Sequence, residues 1–204
     1  MGRWEPNARE RLAAAALQLY QERGFDETAV ADIAARAGLT ERTFFRYFAD
    51  KREVLFGGAS GLQELLTGHL AAAPDLTAPL DAVAAAFEAT SPFFDDRRSF
   101  SRARQAVISA HPALLERELI KLASLATAMA AALRARGVAE PAATLAAEAG
   151  MAVFKLAFGR WLDDGKKRQL AQHVREALGH LKAVTTPVPE RARKASPGPR
   201  RRAR

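Results

Sequence analysis

The sequence predicts an all-α protein in which a small N-terminal domain of three helices precedes a larger helical domain. Apolar residues recur three and four positions apart through most of the chain, and this spacing places them on one face of an α-helix. The alternation of apolar and polar residues that marks a β-strand does not occur. Five prolines separate the helical segments: Pro74, Pro79, Pro92, Pro112 and Pro141.

Composition limits the classes of protein to which the chain can belong. Hydrophobic residues make up 49% of the 204 residues, which is enough for a globular core. No run of about 18 uncharged apolar residues occurs and the N-terminus lacks a signal-peptide segment, so we expect a soluble cytoplasmic protein with no membrane partner. The absence of cysteine excludes disulfides, thiolate metal sites and cysteine nucleophiles.

The net charge of +8 is concentrated at one end of the chain. Residues 1–56 hold nine basic and nine acidic side chains, residues 57–184 hold 15 and 13, and residues 185–204 hold seven and one. The last segment is rich in Pro, Arg and Ser, so we expect a disordered basic tail. Such a tail can simply add solubility, or it can add phosphate attraction that is independent of sequence.

The first two helices are predicted from apolar spacing and from the glycines that follow. The first runs from Asn7 to Arg23 and ends at Gly24, and the second begins after Thr28 as a candidate N-cap and ends at Gly38. Their apolar faces comprise Leu12, Ala16, Leu19 and Tyr20 in the first and Val30, Ile33, Ala34 and Ala37 in the second.

The third helix follows after a turn of only two residues. Thr40 is suited to be its N-cap, and Leu39 and Phe44 have the spacing of a hydrophobic staple, which fixes the direction in which the chain enters a helix. Asp50, with Glu53 three residues later, predicts the start of a fourth helix.

The third helix is predicted to have two different faces. At about 100° per residue, Phe44 and Phe48 fall on one side and Arg42 and Arg46 on the opposite side. Solvation of an amphipathic helix would explain either arginine alone. A helix presented after a short turn, however, fits the major groove of DNA, where arginine and threonine can contact base edges. The combination therefore favours DNA binding.

The stretch "RERLAAAALQLYQERGFDETAVADIAARAGLTERTFFRYFADKREVLF", from Arg9 to Phe56, resembles the DNA-binding region of the TetR family of transcriptional regulators. The shared features are "GF" after the first helix, "TAVADIAARAG" and "TFFRYFADK". The resemblance implies that bases are read by Arg42, Thr43 and Arg46. It implies phosphate contacts from four positions: Thr40, Phe45, Tyr47 and Lys51. Family members often carry tyrosine in place of Phe45 and a hydroxyl residue in place of Ala29. The side chains of Phe45 and Ala29 should therefore form no hydrogen bonds to the DNA backbone.

Beyond Phe56 the pattern predicts helices over residues 51–72, 77–90, 100–109, 112–136, 141–163 and 167–183. We therefore expect a DNA-binding helix-turn-helix domain at 1–50, a helical effector-binding and dimerisation domain at 51–184, and the basic tail at 185–204.

Two helices near the C-terminus are candidates for a subunit interface. The last helix carries the stripe Leu170, Val174, Leu178 and Leu181, and the preceding helix offers Gly150, Ala152 and Gly159 for close approach. The stripe alone fits an ordinary core equally well. The family resemblance favours a homodimer, which would bind a palindromic operator in double-stranded DNA with half-sites about one helical turn, or a multiple of it, apart.

In the TetR family the second domain holds an effector pocket, and effector binding moves the helix after the recognition helix, here expected to begin at Lys51. "RARQAVISAHPALLERELIKLA", from Arg102 to Ala123, resembles the C-terminal domain of mycofactocin-type regulators, thought to sense acyl-CoA-like molecules, and implies that Arg102 and Arg104 meet anionic groups. These resemblances imply a repressor released by a small hydrophobic or acyl-type effector. The predicted pocket comprises Phe87, Phe94, Phe100, Arg104, Met129, Phe154, Phe158 and Trp161, although each apolar residue alone is more typical of plain core.

Two other classes of function are open. An enzyme is poorly supported, because the four histidines are scattered and neither an HExxH motif nor a nucleophile elbow is present. His173 and His180 could share a metal, but two exposed surface histidines are expected, so no cofactor or metal is predicted. The third class is a helical module whose basic tail binds anionic surfaces.

Overall fold

The computed structural model describes residues 8–165 and 168–186, and within these ranges the protein is all-α, as predicted, with no strand. The predicted basic tail lies outside the described residues except for Thr185 and Thr186. The helices are α1 (Ala8–Arg23), α2 (Val30–Arg36), α3 (Glu41–Tyr47), α4 (Ala59–Ala72), α5 (Pro79–Ala89), α6 (Ser91–Asp95), α7 (Arg98–Ala110), α8 (Pro112–Ala135), α9 (Ala142–Asp163) and α10 (Leu170–Thr185). A 3₁₀ turn, Glu53–Phe56, lies between α3 and α4 and is called the linker turn below.

Two apolar cores organise these helices. The first core joins α1, α2, α3 and the linker turn, and it is completed by Ile108 of α7 and Leu114 of α8. The second core joins α4, α5, α8, α9 and α10. The first core includes Val54, Leu55 and Phe56, so residues after the expected domain boundary at 50 pack with the N-terminal helices.

Glycine ends α1 and α2 where the sequence predicts. Gly24 has a φ of 88° and Gly38 a φ of 65°, a left-handed conformation that glycine adopts without steric cost. After α2 the amides of Gly38 and Leu39 donate to the carbonyls of Ala35 and Ala34, at 3.0 and 2.8 Å. These bonds satisfy carbonyls that the helix leaves open, and they set the short turn before α3.

The N-cap of α2 differs from the prediction. Ala29, not Thr28, precedes the first helical residue, and the Asp32 carboxylate accepts its backbone N–H at 3.4 Å. The Thr28 hydroxyl is buried and donates to the Gly24 carbonyl at 2.7 Å, so it closes the turn instead of capping the helix.

The fourth helix starts later than the sequence predicts. Asp50 does accept the amides of Arg52 and Glu53, at 2.8 and 3.0 Å, but the turn it caps is the linker turn and α4 begins only at Ala59. Gly57 and Gly58 separate the linker turn from α4, and glycine has a low helix propensity. Helix α3 is therefore joined to α4 by an irregular segment that contains the linker turn.

Helix α9 is the central helix of the second core. By length and composition it could span a membrane, but its buried apolar residues, 44% of its most apolar stretch, pack against α5, α8 and α10. Gly150 allows the closest approach, because a Cβ there would overlap Val83 of α5. The close contact expected at Gly150 is thus made within the chain.

The stripe on α10 is also occupied within the chain. Leu170 and Val174 are fully buried, and Leu178 and Leu181 pack half-buried against the second core. Of the two alternatives that the sequence left open for this stripe, the intrachain core is the one observed for Leu170 and Val174.

Candidate nucleic-acid interface

Helix α3 has the two faces that the sequence predicts. Phe44 and Phe48 are 0% and 4% exposed and lie in the first core with their rings 5.6 Å apart. Arg42 and Arg46 are exposed. The Thr40 hydroxyl accepts the Thr43 backbone N–H at 3.2 Å, so it caps the helix as expected. The apolar face therefore anchors α3 and holds the arginine face outward.

The outer face of α3 combines exposed arginines with exposed rings. Phe45 is 55% exposed and Tyr47 is 37% exposed. The Arg46 guanidinium lies 4.8 Å from the centroid of the Tyr47 ring and donates to its hydroxyl at 3.1 Å. Within the described part of the chain, neither Arg42 nor Arg46 forms a salt bridge. Their charge is thus available to an external anion, and bidentate arginine suits both guanine edges and phosphates.

Unlike Arg42 and Arg46, Lys51 donates hydrogen bonds to backbone carbonyls of the protein. Its ammonium group donates to the carbonyls of Phe25, Asp26 and Thr28 at 3.0, 3.1 and 3.1 Å, and it lies 4.5 Å from the centroid of the Phe25 ring. An ammonium has three donors, and all three are used. Lys51 fixes the turn between α1 and α2, so the phosphate contact expected from the resemblance has no free donor in this arrangement.

The predicted effector pocket divides into two groups. Six of its residues meet in the second core: Phe87, Phe94, Met129, Phe154, Phe158 and Trp161. Phe87 and Phe154 stack with centroids 4.6 Å apart, and Phe158 lies 5.4 Å from Trp161. Phe100 and Arg104 are not with them. Phe100 packs on the first core, and Arg104 lies against the linker turn, because the inner face of α7 covers the N-terminal helices.

A cleft of about 490 Å³ lies beside this aromatic cluster. It is lined by Asp95, Arg98, Ser99, Arg102, Asp164, Gly165 and Gln169, none of which was a predicted pocket residue. Arg98 lies 4.7 Å from the centroid of the Trp161 ring. Arg102, expected to meet an anion, donates through Nε to the Leu162 carbonyl at 2.9 Å. Arg98 and Arg102 are four positions apart, so the sequence could have predicted that both lie on one face of a helix and line the same cleft.

The two histidines considered as a metal pair do not share a site. His180 is exposed, but His173 is 1% exposed, and its Nε2 lies 3.1 Å from Asp164 Oδ2. The expectation that both are surface residues is therefore wrong for His173, which faces the α9–α10 connection. Among the described residues, no group of three or more potential metal ligands was found.

With the fold and the exposed face of α3 in place, comparison with known protein families identifies the class. Residues 12–56 match the model of the bacterial regulatory proteins of the tetR family. Residues 77–186, more than half of the chain, match the model of the MftR C-terminal domain. The chain therefore belongs to the TetR family of transcriptional regulators, with a C-terminal domain of the MftR type. Both resemblances found in the sequence are confirmed.

Individual relatives match over part of their length. The transcriptional regulator TcmR of Streptomyces glaucescens is 37% identical over 81 residues, which cover 40% of this chain and 36% of TcmR. MftR of Mycobacterium tuberculosis, named as a mycofactocin biosynthesis regulator, is 32% identical over 114 residues, covering 56% of this chain and 58% of MftR. The chain thus spans less than two thirds of the length of these relatives.

Among solved structures, the FadR repressor of Thermus thermophilus in complex with lauroyl-CoA has the same fold. The TM-score is 0.52 at 22% identity, and the match covers 94% of this chain and all of that one. At this identity the likeness concerns the fold alone.

Proposed function

We propose that the protein is a homodimeric repressor that binds a palindromic operator through α3 and is released by a small hydrophobic or acyl-type effector. The observation that carries the DNA-binding part is the outer face of α3. There Arg42 and Arg46 are exposed and form no salt bridge with any described residue, while Phe44 is buried and anchors the helix in the first core. An α-helix held in this way can enter the major groove.

The contacts to DNA are assigned by position on α3. Arg42, Thr43 and Arg46 would read base edges, and Thr40, Phe45 and Tyr47 would lie against the sugar-phosphate backbone. Tyr47 fits the second role because its hydroxyl is at the surface next to Arg46. Lys51 is left out of the set because its donors are used by backbone carbonyls.

Protection mapping on the DNA upstream of the native gene tests this function. We expect a protected region with two-fold symmetry and half-sites spaced by about one helical turn or a multiple of it. Binding that is equal on this DNA and on a scrambled duplex of the same length and composition would contradict sequence-specific regulation. A cytoplasmic location, where the DNA lies, is part of the same proposal.

The dimer interface is assigned to the outer faces of α9 and α10. On α9 the residues Leu145, Ala149, Ala152, Leu156 and Gly159 follow one another at spacings of four and three, the pattern of a coiled-coil seam. Leu145 and Leu156 are 64% and 44% exposed, although both are apolar. On α10, Gly179 and Ala183 are exposed small residues that permit close approach. Two copies of this pair would form a four-helix bundle.

Sedimentation velocity of a charge variant tests this interface. Leu156→Glu should shift the dimer to monomer, because it places a carboxylate in the seam. Leu76→Glu is the matched control, since Leu76 is 101% exposed and lies between α4 and α5, away from the seam. A Leu156→Glu protein that stays dimeric would exclude this assignment.

The effector site is proposed at the aromatic cluster and the adjoining cleft. The cluster, in which Phe94 and Phe158 are half-buried and the other rings buried, provides an apolar environment for a chain. Arg98, at the cleft and against Trp161, donates to the carbonyls of Asp164 and Arg168, and the remaining donors of its five N–H groups are proposed to meet an acidic group. The lauroyl-CoA bound by Thermus thermophilus FadR is a ligand of this chemistry. Titration of the protein–operator complex with acyl-CoA thioesters of increasing chain length should release the DNA. Retention of the operator at saturating thioester would exclude this effector class.

A further inference from the structure

The segment between α3 and α4 is held by side chains that donate to its backbone carbonyls. The Tyr20 hydroxyl donates to the Lys51 carbonyl at 2.5 Å, and Arg9 donates to the Gly57 carbonyl at 2.6 Å. The third donor is Arg104, whose Nε reaches the Leu55 carbonyl at 2.6 Å. Tyr20 and Arg9 belong to α1, whereas Arg104 belongs to α7 and brings the contact from the C-terminal half of the chain.

Arg104 is itself fixed in one geometry. Its side chain is 20% exposed, and it pairs at 3.0 Å with Glu118 of α8, whose side chain is 14% exposed. The second Glu118 oxygen accepts from Gln105 at 3.1 Å, and the Arg104 guanidinium lies 5.1 Å from the centroid of the Phe56 ring. Burial lowers the pKa of Arg104, an effect that the Glu118 carboxylate opposes. Because charges withdrawn from water must keep their partners, this arrangement resists displacement.

The contact leads directly to the DNA-reading helix. Leu55 and Phe56 are 4% and 5% exposed and pack in the same core as Phe44 and Phe48, which anchor α3. A movement of α7 therefore either carries the linker turn with it or breaks the Arg104 contacts. Such an all-or-none contact can link two arrangements of a protein.

We propose that Arg104 is a positioning residue for operator binding, which holds the linker turn on α7 and α8 and thereby keeps α3 at the angle that DNA recognition requires. The inference rests on the proposed DNA-binding function and adds to it one residue that ties the second domain to the recognition helix. Arg117 and Lys121 of α8 also pair with Glu53 of the linker turn, but Arg104 is the residue that donates to the backbone of the turn. Arg104 acts through Leu55 and Phe56, not by touching DNA.

The chain provides a matched control for the test. Arg134 of α8 also pairs with a carboxylate, that of Glu140 at 2.6 Å, but it contacts neither the linker turn nor the cleft proposed for the effector. Arg104→Met and Arg134→Met therefore each remove one guanidinium and one ion pair, and only the first removes the contact with the linker turn.

Operator affinity and deuterium uptake of residues 51–60 are measured for both variants and the full-length wild type. Arg104→Met should weaken operator binding about tenfold, as when the binding-competent fraction falls to about a tenth, and should speed exchange in residues 51–60. The dependence of log affinity on log salt should stay unchanged, because no phosphate contact is lost. Arg134→Met should leave operator affinity within about twofold, because the pair it breaks is exposed and lies away from the linker turn.

Three outcomes would overturn the proposal: equal operator affinity for both variants, tighter binding by Arg104→Met, or a shallower salt dependence, which would indicate direct contact with phosphate. If the wild type binds operator and scrambled duplexes equally, the proposed DNA-binding function fails. In that case deuterium uptake still tests the contact itself: unchanged exchange of residues 51–60 in Arg104→Met would show that Arg104 does not hold the linker turn. Should Arg104→Met not fold, Glu118→Gln weakens the same pair, and an operator affinity equal to that of the wild type would contradict the role of Arg104.

Discussion

Two groups of cations near the N-terminal helices are placed in opposite ways. Arg42 and Arg46 on α3 are exposed and have no carboxylate partner in the described residues. Lys51 and Arg104 are turned into the protein, where they donate to backbone carbonyls. A cation whose donors are used by its own chain stabilises the fold, whereas a cation without internal partners is available to a phosphate or a base. This difference distinguishes the cations that stabilise the fold from the cations proposed to contact DNA.

The largest effect on stability is expected at Phe44, the buried residue that anchors α3. Phe44→Ala removes a fully buried ring from the first core and should lower the free energy of unfolding by about 3–5 kcal/mol. Phe45→Ala, at the neighbouring exposed position, should change it by no more than about 0.5 kcal/mol. Urea denaturation of both variants measures the contrast. Similar losses for the two would show that α3 is not anchored through Phe44.

A second prediction concerns Lys51, the cation assigned to support. Lys51→Met leaves three carbonyls without their common donor and should cost about 1–3 kcal/mol of unfolding free energy. The slope of log affinity against log salt should be unchanged when folded protein is compared. A slope smaller by about one, with unaltered stability, would instead place Lys51 on a phosphate.

The smallest effect is expected at the edge of the reading face. Tyr47→Phe removes the hydroxyl that accepts from Arg46 and should weaken binding to all duplexes alike, by roughly 1 kcal/mol or less. Fluorescence anisotropy with operator and scrambled duplexes checks this. A loss confined to the operator would move Tyr47 from phosphate contact to base reading.

Much of the DNA-binding region could be predicted from the sequence, because its signals are local. The stop at Gly38, the cap at Thr40 and the opposed faces of Phe44 and Arg42 each depend on spacings of a few residues, and the structure has all of them. The linker turn was missed because the capping signal at Asp50 is real but the chain after it does not stay helical. Gly57 and Gly58 follow, and side chains distant in sequence take the carbonyls.

The residues whose contacts differ from the sequence expectation are those whose partners are far away in the chain. Arg104 was expected in an effector pocket, but its partner Leu55 lies 49 positions earlier. Lys51 was expected at a phosphate, but its carbonyl partners lie 23 to 26 positions earlier. His173 was expected at the surface, but the turn into α10 places it against Asp164. Helical periodicity shows which face of a helix is apolar, and it carries no information about which distant element covers that face.

The most direct test of the central claim, that the exposed arginine face of α3 reads sequence, is the ratio of affinities for the mapped operator and a scrambled duplex. Arg42→Ala should cost about 1–3 kcal/mol on the operator and relax the preference at one base pair, with little loss on scrambled DNA and no change in unfolding free energy. Equal losses on both duplexes would contradict the claim, because Arg42 would then contribute charge without reading the bases.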